Sequence, residues 1–128
     1  MKIASQFLII AVMFIAITLG CKKHHSNPCE PITNVTYQAT LLESKEHVKL
    51  DLTWKDKSRK QQTYEVVIID EVNKEVLFKG RSNEKKITAE RIPYDRSILI
   101  TISSSPCDEE TTVYARGIIV GDIQKPPI

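Results

Sequence analysis

From Val48 onward the chain alternates apolar and polar residues in step with an extended backbone. Val48, Leu50, Leu52 and Trp54 fall on one side, and Lys49, Asp51, Thr53 and Lys55 on the other. A period of two buries one face of a β-strand and solvates the other. Thr63–Asp70 (TYEVVIID) predicts a second such strand, with Tyr64, Val66 and Ile68 sharing a face and enough apolar residues to be central. Asn73-Lys74 predicts a turn into residues 75–79, with Gly80 ending that hairpin. A strand over residues 86–91 points Ile87 and Ala89 inward until Pro93 breaks it. Ile98, Ile100 and Ile102 then alternate with Leu99, Thr101 and Ser103. Residues 104–110 read as a turn containing Pro106 and Cys107, and residues 111–120 as the last strand. A first strand near residues 34–42 brings the count to seven. No stretch combines helical spacing with caps. Short strands at nearly regular intervals predict an all-β, seven-stranded, two-sheet β-sandwich over residues 32–121. A C-terminal tail, residues 122–128, follows, and Pro126-Pro127 marks it as a frayed end.

The first twenty residues follow another pattern. Lys2 gives a positive start and Phe7 to Leu19 is an almost unbroken apolar run, short for a membrane span. This is the layout of a secretory signal peptide, residues 1–20. The closing Thr18-Leu19-Gly20-Cys21 resembles the lipobox of bacterial lipoproteins, in which a small residue precedes an obligatory cysteine. The alternatives are a plain N-terminal anchor or a conventionally cleaved signal. The resemblance implies cleavage before Cys21, a diacylglycerol on its thiol and acylation of the new amine. At roughly 0.8 kcal/mol per buried CH₂, several acyl chains hold a small domain on a membrane almost permanently. Lys22 stands where, in some diderm bacteria, an aspartate would retain the protein at the inner membrane. The resemblance therefore implies the outer membrane, with the periplasmic or surface-facing leaflet left open. Residues 21–31, polar and carrying Pro28 and Pro31, read as a lipidated flexible tether.

Composition narrows the classes further. A little over a hundred residues remain after the signal, enough for one domain with a modest core. The formal charge of +2 loses only the unit of Lys2 on cleavage. So even a balance argues against nucleic acid as a partner and against electrostatic attraction of the whole domain to membranes. With one of the three cysteines lipidated, Cys29 and Cys107 are an even pair in an oxidising compartment, and a disulfide is expected. It closes a loop of about 80 residues, worth on the order of 4 kcal/mol. Free thiols or metal ligands are the alternative, but neither cysteine has a C-x-x-C partner or a patterned histidine.

Three segments resemble a fibronectin type III domain or a close immunoglobulin-like relative. VKLDLTW, residues 48–54, is similar to the family's second strand, whose tryptophan, here Trp54, fills the core. TYEVVI, residues 63–68, is similar to its third strand. RIPYDRSILITI, residues 91–102, resembles the stretch leading into its sixth, although Ile98 stands where the family's corner tyrosine would fall. A Cys29–Cys107 bond is no hallmark of that family. It would pin the segment before the first strand to the turn between the sixth and seventh. There is no Arg-Gly-Asp, so an integrin-type ligand is not implied.

Catalytic patterns are missing. The chain has no G-x-S-x-G, no H-E-x-x-H and no phosphate-cradling glycine loop, and Ser103-Ser104-Ser105 has no evident base. We expect no enzymatic activity and no cofactor. His24-His25 on the tether make a weak, unselective metal site, His47 begins a strand, and Asp108-Glu109-Glu110 reads as a solvated turn, so no metal is expected. Binding is better served. Lys55, Lys57, Arg59 and Lys60 cluster in the turn between the second and third strands, relieved only by Asp56, and sandwich loops commonly recognise partners. Tyr94 is the best candidate for an exposed ring; one ring makes no sugar-binding platform. The expectation is a non-catalytic cell-envelope binding or scaffold module acting through protein–protein contacts. An envelope or dietary glycan binder and an inhibitor or immunity-type lipoprotein are the alternatives.

Overall fold

The computed structural model describes residues 28–128. The signal, Cys21 and His24-His25 lie outside the described residues. Seven strands follow in chain order: β1 Thr33–Leu41, β2 His47–Lys55, β3 Thr63–Asp70, β4 Val76–Ser82, β5 Lys86–Pro93, β6 Ile98–Ser105 and β7 Glu110–Ala115. They form two antiparallel sheets, β1-β2-β5 and β4-β3-β6-β7. The expected all-β two-sheet architecture is the observed one.

The period-two pattern is the reason. In β2 the side chains of Val48, Leu50, Leu52 and Trp54 are buried while their neighbours face solvent. The same alternation puts Tyr64, Val66 and Ile68 of β3 and Ile98, Ile100 and Ile102 of β6 into one shared core. Trp54 meets Tyr64 from the opposite sheet edge-on, with ring centroids 5.3 Å apart. Such a pair adds about 0.5–1.5 kcal/mol beyond its buried area.

Four elements differ from expectation. β5 is not broken before Pro93 but runs through it, with Pro93 paired to His47. Gly80 does not end its hairpin: β4 runs on to Ser82, pairing Gly80 with Val66 and Ser82 with Tyr64, and the Phe78 ring lies against Gly80. A Cβ there would lie 2.7 Å from Phe78 Cζ and 3.0 Å from Ile87 Cδ1. β6 continues through Ser104, which is buried, into Ser105. The last strand stops at Ala115, since Gly117 adopts φ 95° and swings the chain so that Ile118 enters the core.

The end of the chain is not frayed. Gly121 N donates to Ala39 O at 3.0 Å, and Gln124 and Tyr37 exchange backbone hydrogen bonds of 2.7 and 2.9 Å. Pro126 is buried, and Pro127 O accepts from Tyr114 N at 3.2 Å. The segment thus straps edge strand β1 of one sheet to edge strand β7 of the other.

Antiparallel pairing collects the connections at two poles. The pairs Thr33↔Lys55, Thr53↔Lys86, Tyr64↔Ser82 and Thr63↔Ser105 mark the first; Leu41↔Val48, His47↔Pro93 and Asp70↔Ile98 mark the second. The first pole holds the chain's entry at residues 28–32, the β2–β3 loop, the β4–β5 turn and the β6–β7 turn.

Candidate binding face

The β2–β3 loop is stitched down along its length. Asp56, although it sits in a run of cations, is buried. Its carboxylate accepts from Ser58 N and from Tyr64 Oη, each at 2.8 Å. Ser58 Oγ accepts from Glu30 N at 2.8 Å and donates to Glu30 O at 3.3 Å, and Arg59 N donates to Pro28 O at 2.8 Å. At the far end of the loop, Gln62 Oε1 accepts from Cys107 N at 2.9 Å, and Gln62 Nε2 donates to Lys60 O at 3.1 Å. The expected disulfide Cys29–Cys107 is present, with Cα atoms 5.5 Å apart, and joins the entry segment to the β6–β7 turn.

Burial alone would raise the Asp56 carboxyl. The Ser58 and Tyr64 hydrogen bonds and the charge of Lys85 outweigh it and hold the group below the usual carboxylate range. Burial, then the Asp56 carboxylate, push the Tyr64 phenol far up, so its hydroxyl stays protonated and keeps donating.

Lys55, Lys57, Arg59 and Lys60 are all exposed at this pole. Arg59 and Lys60 form one lip of a cleft of about 500 Å³; the other lip is the β4–β5 turn and the start of β5, which supply Lys85 and Lys86. Lys55 and Lys57 stand outside it. The lips are joined: Gln61 Nε2 donates to Asn83 O at 3.4 Å and Thr63 Oγ1 to Asn83 Oδ1 at 3.2 Å. Glu84 is the cleft's one carboxylate, 3.6 Å from Lys86 Nζ. At the start of β3 lies a second cleft of about 550 Å³, lined by Glu65, Arg81, Asp108, Glu110 and the run Ser103, Ser104 and Ser105. Tyr64 lines both clefts, and Thr63 lines the second.

Tyr94 does not join this face. The residue is 41% exposed, but its backbone N–H donates to Glu46 O at 3.1 Å, at the second pole. β2, nine residues long, separates it from Lys55 by roughly 25 Å at the usual strand rise. There Asp70 Oδ1 accepts from Val72 N at 2.8 Å and Asn73 N at 3.1 Å, while Arg96 Nη1 lies 3.4 Å from Oδ2. These N–H groups, with Arg96, hold the Asp70 carboxyl below its ordinary range.

Lys85, Lys86, Asp108 and Glu110 were not singled out as binding residues from the sequence. Finding them needs the register that sets Lys86 beside Thr53 and Glu110 beside Ser103. Among the described residues, no three His, Cys, Asp or Glu side chains are placed to share a metal ion, and no helix is long and apolar enough to cross a membrane.

The chain matches no known protein family. No curated protein or solved structure is significantly similar to it either.

Proposed function

We propose that this protein is a lipid-anchored, non-catalytic binding module of a bacterial cell envelope that contacts a protein partner through its first pole. The observation that carries the reading is the β2–β3 loop, a charged surface tied to the chain's entry, to the β6–β7 turn and to the core. A surface held this way loses little freedom when a partner docks. The lipobox-like ending at Cys21 supports anchoring, with the outer membrane favoured. The strand order supports the fibronectin type III resemblance: the fourth strand pairs with the third, whereas in a constant-type immunoglobulin domain it joins the first sheet. A glycan ligand would rely on exposed rings, and among the described residues the most exposed ring, Tyr94, sits at the other pole.

The test is photocrosslinking in living cells of the source organism, with a photoreactive amino acid at exposed Thr63. Native protein and a copy carrying Lys57→Glu, Arg59→Glu and Lys60→Glu are compared. One envelope protein recovered reproducibly with the native loop and lost with the reversed loop is expected. Recovery of no specific protein from either would overturn the reading and turn attention to polysaccharides.

A further inference from the structure

We infer that the two clefts of the first pole form one bipartite docking surface, which takes carboxylates of a protein partner in one cleft and a lysine or arginine of the same partner in the other. The inference deepens the proposed protein-binding reading and rests on it. The cleft between the β2–β3 loop and the β4–β5 turn presents four cations, Arg59, Lys60, Lys85 and Lys86, against the single carboxylate of Glu84. The neighbouring cleft reverses this balance, presenting Glu65, Asp108 and Glu110 against Arg81, which is itself 3.3 Å from Glu65. The two clefts share Tyr64 in their linings.

A uniform polyanion, whether an acidic polysaccharide or an anionic lipid surface, would gain in the first cleft and be repelled at the second. Tyr64 lines both clefts, so they are neighbours, and charges closer together than about 8 Å to 10 Å act on one another in ordinary salt. A folded protein surface can carry both signs in matching order, and that complementarity fixes orientation and raises the rate of encounter. Like-charge juxtaposition on the acidic side also discriminates against partners that are merely acidic.

The sign of one effect separates these cases. Three copies of the full-length lipoprotein are compared in cells by photocrosslinking from Thr63: native, Lys60→Glu with Lys85→Glu, and Asp108→Asn with Glu110→Lys. All four altered side chains are exposed. Both variants are expected to lose crosslinked partner by about fivefold or more. The partner peptides should place Asp or Glu at the first cleft and Lys or Arg at the second. Crosslinking that is unchanged or stronger in the acid-side variant would overturn the inference while leaving a protein partner standing. No crosslinked protein from the native form would overturn both. A parallel arm measures binding of alginate and of phosphatidylglycerol vesicles to the purified native and acid-side proteins. Binding to either probe that strengthens on removing Asp108 and Glu110 would assign the pole to a uniform polyanion instead. Thermal melts confirm folding, and the milder pair Lys60→Gln with Lys85→Gln and Asp108→Asn with Glu110→Gln replaces any reversal that unfolds.

Discussion

Asp56 lies between Lys55 and Lys57, yet its charge is directed inward, onto Ser58 N and Tyr64 Oη. Its folded carboxyl, like that of Asp70, titrates below the ordinary 3.8. A carboxyl depressed by folding contributes stability that is complete above its unfolded value and is lost as pH falls through the folded one. Both groups therefore stabilise the fold above about pH 4 and stop doing so in more acid solution. Asp56→Ala leaves the Tyr64 hydroxyl and Ser58 N without this partner, and should cost about 1–3 kcal/mol at neutral pH. Urea denaturation at pH 7 and again near pH 2.5 checks it: the gap between variant and native should narrow in acid. A gap of equal size at both would show that the carboxylate is not its source. A charge run in a turn reads naturally as solvated cations, and from that reading Asp56 only dilutes them. The local signal was present: an aspartate two residues before a serine whose N–H it can cap is an Asx-turn. The Tyr64 partner is eight residues away and depends on how β2 and β3 face each other, which no local pattern contains.

The strands themselves were legible wherever one face is buried along their whole length. β3 has the bounds expected of it, and the buried set of β2 is the expected one, because a one-residue slip would turn every apolar side chain outward. Legibility failed where a long-range contact overrode a local preference. Ile118 and Val120 read as a continuation of the last strand, but Gly117 turns the chain and Val120 instead bridges to Ala39 of β1. Two prolines suggested a loose end; Pro127, having no N–H to offer, still accepts through its carbonyl, and Pro126 packs inward. Deleting residues 122–128 removes the paired hydrogen bonds between Gln124 and Tyr37 and the one from Tyr114. A loss of about 2–4 kcal/mol is expected from three such bonds. The deletion also uncovers the edge of β1, and a bare edge invites pairing with another chain. Chemical denaturation and light scattering should show a less stable and more self-associating protein. Native stability with no association would mean that the segment merely lies against the sheet.

At the scale of the whole molecule, the chain's entry and the proposed docking surface share one pole, where the Cys29–Cys107 bond joins the entry to the β6–β7 turn. Seven residue steps separate Cys21 from Pro28, a reach of at most about 25 Å. With Cys21 lipidated as proposed, a tether of that length would keep the chain's entry at the first pole within about 25 Å of the membrane. A partner that is itself membrane-associated would then be favoured by its high effective concentration there. The bond should do two separable things. Cys29→Ser with Cys107→Ser releases a loop spanning 78 residues and should cost on the order of 4 kcal/mol in denaturation experiments. It should also weaken docking at a temperature where the variant remains fully folded. The segment holding Ser58 and Arg59 from one side, and the turn holding Gln62 from the other, are then no longer covalently joined. Crosslinking from Thr63 at that temperature reads the second effect alone. A yield equal to native, alongside the lowered stability, would make the bond a staple for the fold with no part in presenting the surface. A falling yield would show that the same covalent link stabilises the sandwich and orders its binding pole.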